Sequence, residues 1–192
     1  MEIKKIFFIL RQFKSDLINM INFKYHGVVV GKLPGHIEGT ITIRAAKKGS
    51  IVIGEKAELR SGKSYNIIGG DTRLILRTIG DGKITIGDHV GISNSALVSA
   101  ASIIIEDDVM IGGSCKIWDT DFHSIRFEER NRVQDHDYQS KSIHIKRGAF
   151  IGGVYHIEGC YDWRKVNSWC RLCRGKKHSF GRDMGWKSCK IY

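Results

Sequence analysis

The sequence predicts a β chain wound into a coil of short parallel strands with three flat faces, entered through one amphipathic α-helix. Three observations carry that prediction. Between Ile84 and Ile157 an aliphatic residue returns on a six-residue beat, with anchors at Ile86, Ile92, Val98, Ile105, Ile111, Ile117, Ile145, Ile151 and Ile157 and one extra residue after Val98. A period of six matches neither the 3.6-residue helix nor the two-residue strand, so it requires a structural repeat. Gly-Asp and Asp-Asp pairs recur inside the repeats, as in Gly87-Asp88 and Asp107-Asp108, where they supply tight corners. Finally, Ile3, Ile6, Phe7, Leu10, Phe13, Leu17 and Ile21 follow helical spacing.

The first element, residues 1–26, is this helix, with its core expected over residues 3 to 22. Its apolar run Ile6 to Leu10 is only five residues long and ends at Arg11, too short for a signal peptide or a membrane span. It is expected to cap the open first coil or pack between subunits, since a solenoid end must be covered. The second expectation is contact with the inner face of a membrane, aided by Lys4, Lys5, Arg11, Lys14 and Lys24. The coil domain spans residues 27–157, with regular winding from about Gly35. Its early repeats, IEGTITI, SIVIGEKAEL and NIIGGDTRLIL, are irregular, and the later ones follow the beat closely. Stacked Ile and Val supply the core, at ~1.5 to 3 kcal/mol for each fully buried side chain. From Asp119 to Ser142 the beat lapses into a segment rich in charge. A repeat coil accommodates such an insertion by extruding it as a loop, and regular scaffolds often carry function on such loops.

The motifs IGDHVGISNSALV, IEDDVMIGGSCKIWDTDFHSI and IHIKRGAFIGG resemble the hexapeptide-repeat acyltransferases, within them the sugar O-acetyltransferases of surface-polysaccharide clusters. The resemblance covers about Ile37 to Gly153. It implies a left-handed parallel β-helix (hexapeptide-repeat solenoid), acetyl-CoA as acyl donor, a sugar or polysaccharide-precursor acceptor, a cytoplasmic homotrimer and sites between subunits. Passive scaffolds and zinc carbonic anhydrases are built on similar coils, so a non-catalytic scaffold or pseudoenzyme is the alternative.

His123, in Trp118-Asp119-Thr120-Asp121-Phe122-His123, matches the family's catalytic histidine. Imidazole suits general-base removal of a hydroxyl proton, because its ordinary pKa is ~6.5. Asp121 would orient it or face the substrate, although carboxylates in loops are often simply solvated. Asn94 aligns with a position that contacts the acceptor, and an asparagine there serves equally as a corner residue. Gly152 and Gly153 are what remains of the stretch along which the family lays the pantetheine arm of CoA. Backbone donors would stabilise the thioester oxyanion. A zinc anhydrase needs three converging histidines, and only His123 is well placed, so no metal is expected.

Composition narrows the classes further. Hydrophobic content of 42% and charged content of 27% are those of a globular chain. The net charge is +11, but residues 154–192 contain nine Lys or Arg against three Asp or Glu, a net of +6. The coil therefore carries little excess charge, no basic and aromatic interleaving is present, and nucleic acid is not an expected partner. That tail, residues 158–192, also holds Cys160, Cys170, Cys173 and Cys189, read as free thiols because a single C-x-x-C is a weak metal signal. The tail resembles the family's C-terminus translated in a shifted reading frame, the alternative being a divergent tail that folds as its own cap. Permitted codons for Val154 to Lys165, read one base later, give SIILKGVTIGE, two resumed hexads. The same shift turns the single codon of Trp163, Trp169 and Trp186 into glycine where the family has it. The gene sequence around Gly152 tests this reading, under which the present chain would be impaired in acetyl transfer.

Overall fold

The computed structural model describes residues 2–33, 35–70, 72–124, 127–130 and 138–152, together with the backbone of 156–158, 162–163 and 167–168. Helix α1 (Glu2–His26) opens the chain. It stops where Gly27 takes a φ of 61° and lets the Val28 N–H reach the Phe23 carbonyl at 2.9 Å. This pairing, with the Gly27 N–H bonded to the Lys24 carbonyl, closes the helix end in a Schellman motif. Short strands follow: β1 (Val29–Val30), β2 (His36–Glu38), β3 (Thr42–Arg44), β4 (Ile51–Ile53), β5 (Glu58–Arg60) and β6 (Ile75–Thr78). The next are β7 (Lys83–Ile86), β8 (Gly91–Ser93), β9 (Ala96–Ser99), β10 (Ser102–Ile105), β11 (Met110–Ile111) and β12 (Lys116–Trp118). A single helical turn, α2 (Phe127–Arg130), precedes β13 (Ile143–Ile145), β14 (Phe150–Ile151), β15 (His156–Glu158), β16 (Asp162–Trp163) and β17 (Asn167–Ser168).

Each pairing is parallel and joins strands three apart in sequence, so the chain returns to the same sheet every third strand. Among the described residues this makes three parallel sheets. The first runs β1-β4-β7-β10-β13-β16, the second β17-β14-β11-β8-β5-β2 and the third β15-β12-β9-β6-β3. The architecture is therefore a β-helix-like parallel fold with one N-terminal helix. Register stacks like on like. Ile51, Ile84, Ile103 and Ile143 form one buried rung, and Ile53, Ile86, Ile105 and Ile145 a second on the same sheet. Leu59, Ile92, Ile111 and Ile151 line the second sheet. A parallel sheet is stable only when its inner face is covered, and here the three inner faces cover one another.

Three expectations need correction. Val98 is not an inward anchor: Leu97 is fully buried and pairs with Leu76 and Ile117, while Val98 is half-buried on the outer side. The corner before β9 is one residue shorter than a strict hexad allows, and a one-residue step turns every side chain of a strand to the opposite face. NIIGGDTRLIL is not a repeat throughout, because Ile67 and Ile68 are 87% and 66% exposed on a loop, and inward packing resumes only at Leu74 and Leu76. The coil also begins earlier than Gly35, since β1 already pairs with β4.

Helix α1 covers the first turn of the coil with Phe23, which packs against the core, and with a set of polar side chains. Asn19 is 3% exposed, donates to the Gly39 carbonyl at 2.8 Å and accepts from the Ile41 N–H at 2.9 Å. Gln12 donates to the Ile37 carbonyl at 2.6 Å, and Thr40 Oγ1 lies 3.3 Å from Ser15 Oγ. These side chains satisfy backbone groups at the rim of the first turn, which has no preceding turn to pair with. Beyond Gly152 the backbone keeps the same winding: β15, β16 and β17 pair with β12, β13 and β14. Ile157 falls opposite Ile117 in that register. The four tail cysteines and Trp169 and Trp186 lie outside the described residues.

Candidate active site

The three corners of the coil are built differently, and that difference locates the site. The corner between the first and second sheets is tight and repetitive. Lys56, His89, Asp108 and Gly148 occupy equivalent positions in four successive turns, all with φ between 52° and 73°. Side chains brace it from one turn to the next. Asp88 Oδ1 accepts from the Glu55 N–H at 2.7 Å, Asp107 Oδ1 from the Asp88 N–H at 2.9 Å, and Glu106 Oε2 from the Arg147 N–H at 2.9 Å. The Arg147 N–H, Lys146 and His144 around Glu106 hold its carboxyl down at about 2.

The corner between the second and third sheets carries the 62–72 loop. Asn94 fastens it. Its side chain is fully buried, Oδ1 accepts from the Gly62 N–H at 2.6 Å, and Nδ2 donates to the carbonyls of Asn66 at 2.7 Å and Ile68 at 3.1 Å. Both donors of that amide and its oxygen bond backbone of the loop, so Asn94 has a structural part in this corner. Gly113 permits the loop to close down, since a Cβ there would come within 2.3 Å of the Ile68 carbonyl oxygen. Gly152 belongs to the same corner. It is buried, and its carbonyl accepts the Cys115 thiol at 3.3 Å. Gly153 lies outside the described residues.

The corner between the third and first sheets carries His123. In three successive turns its first position is Thr78, Ser99 and Asp119, each buried. The Asp119 carboxylate, 1% exposed, accepts from Ser99 Oγ at 2.7 Å and from the N–H groups of Ala100 at 2.6 Å and Ala101 at 3.1 Å. The loop leaves through a short antiparallel neck. Thr120 bridges Ser140, the Asp121 N–H meets the Gln139 carbonyl at 3.0 Å, and the Lys141 N–H meets the Asp119 carbonyl at 2.7 Å. Above the neck the chain reverses over a single residue. The His123 N–H bonds the Asp121 carbonyl at 2.7 Å around Phe122, whose φ is 61°.

That is a γ-turn of the uncommon positive-φ kind, costing on the order of 1–3 kcal/mol at a bulky residue. It persists because Phe122 is held from both sides: its N–H reaches Thr120 Oγ1 at 3.3 Å, and its ring meets Trp118 at 6.0 Å between centroids. The result is an exposed His123, raised on a braced turn beside a half-buried Asp121 and two aromatic rings.

The sequence-predicted residues are thus only partly brought together. His123 and Asp121 share one turn. Asn94 and Gly152 stand at the other end of the third sheet, a strand length or about 15 Å away. Asp119, Thr120 and Phe122 were not singled out from sequence, although the Thr78, Ser99, Asp119 series at one coil spacing was a readable signal. Among the described residues no group of three His, Cys, Asp or Glu side chains could hold a metal. A separate groove of about 470 Å³ opens between α1 and β2, lined by Gln12, Asp16, Asn19 and His36, in the first turn rather than the fourth. No family model, curated protein or solved structure matches the chain.

Proposed function

We propose that the chain is an acetyl-CoA-dependent O-acetyltransferase acting on a sugar hydroxyl, with His123 as the general base. The observation that carries this reading is the braced turn at Phe122, which spends strain and a fully engaged Asp119 to hold one imidazole at the base of the loop that interrupts a regular coil. A neutral ring nitrogen of His123 takes the hydroxyl proton as the sugar oxygen attacks the thioester carbonyl. The tetrahedral intermediate collapses with loss of the CoA thiolate, and the imidazolium returns its proton to that sulfur. A base so placed contributes ~10² to 10⁴ in rate.

In this reading the coil is left-handed and the protein a homotrimer, in which Asn94 and Gly152 of one subunit's corner approach His123 of the next. Asn94 then acts by shaping the 62–72 loop rather than by touching the acceptor. The CoA arm would lie beyond Gly152. The test is transfer from acetyl-CoA to a panel of sugar acceptors by the wild type and His123→Ala, with melting temperatures matched. Loss of at least ~10² in rate supports the assignment. Equal rates remove it and leave a passive scaffold.

A further inference from the structure

We infer that α1 is a membrane-surface anchor, binding an anionic bilayer through the side that faces away from the coil. The usual arrangement of a surface helix buries its apolar stripe and exposes its polar one. Here the order is inverted. Gln12, Ser15, Asn19 and His26 point at the first turn of the coil and hydrogen-bond to it or within the helix. Ile6, Ile9, Phe13 and Leu17, at three- and four-residue spacing, point away and are 45% to 69% exposed, while Met20 lines the groove between the helix and β2. The face runs almost the length of a 25-residue helix, about 37 Å at 1.5 Å per residue. The Ile6 to Leu17 stripe is therefore not the cap of the coil, because Gln12, Ser15 and Asn19, with Phe23 against the core and Phe8 against Tyr65, make that contact.

Charge selects the occupant. The helix carries Lys4, Lys5, Arg11, Lys14 and Lys24 against two carboxylates, Glu2 and Asp16; Asp16 is bonded to Gln12 at 2.7 Å and Arg11 lies over the Tyr65 ring. Lys5, Lys14 and Lys24 are exposed, and Lys32 and Lys48 add exposed cations on the first turn, where Lys47 is paired with Asp81. A second copy of this face would bring five cations of each helix together with only two carboxylates to offset them. An anionic lipid surface offers the complementary charge and an apolar layer for the stripe. Among the described residues no helix is long and apolar enough to cross a membrane, so α1 would lie in the plane of the interface.

The experiment is sedimentation of the full chain with vesicles of phosphatidylcholine, alone or with roughly one third phosphatidylglycerol. Binding is expected only to the anionic vesicles and is expected to fall with added salt. The double variant Ile9→Glu, Phe13→Glu is expected to lose binding with an unchanged melting temperature, because both side chains are largely exposed on the outer side of the helix. Lys14→Gln and Lys24→Gln are each expected to weaken it about five-fold. Absence of sedimentation with anionic vesicles, or binding untouched by the Ile9, Phe13 pair, overturns the proposal. A concentration-dependent dimer that the same pair abolishes, with no vesicle binding, assigns the face to a second copy instead.

Discussion

Asp119 sets the position of His123 without chemistry of its own. Its carboxylate gathers a hydroxyl and two backbone N–H groups that the coil corner would otherwise bury unsatisfied. Asp119→Ala is expected to destabilise by about 2–3 kcal/mol, since each stranded donor costs roughly 1–3 kcal/mol. Thermal melting checks the loss, and transfer activity should fall with it as the turn loosens. His123 could be named from its motif, because a histidine at the break of a regular pattern stands out. Asp119 could not be named so readily: an aspartate at the head of a charged loop looks solvated until the depth of the corner is known. The strain at Phe122 was invisible for a related reason, because nothing in Asp-Phe-His marks a positive φ.

At the level of elements, the tight corner and the 62–72 loop make separate predictions. Gly148 has φ 73° and open space around the position of a Cβ, so Gly148→Ala tests backbone conformation alone and should cost about 1–2 kcal/mol. The equivalent residues Lys56, His89 and Asp108 already bear that cost, and a gain in stability for Lys56→Gly would confirm it. Asn94→Ala should release the loop. The expected signature is about 2 kcal/mol of lost stability and faster proteolysis within residues 62–72, read by mass spectrometry of the fragments. The strands themselves were legible from the aliphatic beat. Their register at Leu97 was not, because adjacent Leu97 and Val98 are equally good anchors and only the length of the neighbouring corner decides between them. The orientation of α1 was likewise open, since its spacing marks an apolar stripe but not which side meets the coil.

For the whole molecule, acid should loosen the coil through Glu106. Its pKa of about 2 in the fold lies below the ~4.3 of an unfolded glutamate. The ionised form is thus favoured by folding, and the stability it contributes is present above about pH 4.3 and is lost as pH falls towards 2. Melting temperatures of the wild type should decline over that window, and Glu106→Gln should decline less steeply. The proposed trimer predicts a mass three times 21.7 kDa by light scattering, whereas a monomer at working concentration would remove the shared site.

Periodicity by itself determined that the chain is a parallel coil with a helix before it and a loop after Ile117. That follows because burial repeats with the geometry of the backbone, and six residues per face leave few other solutions. The tertiary structure decided which corner side chains are buried and what they bond. His123 and the outer face of α1 are exposed, whereas Asn94 and Asp119 are buried and bond backbone donors and carbonyls from other turns. Those partners lie 18 to 32 residues away along the chain, so only the winding that brings turn onto turn could reveal them.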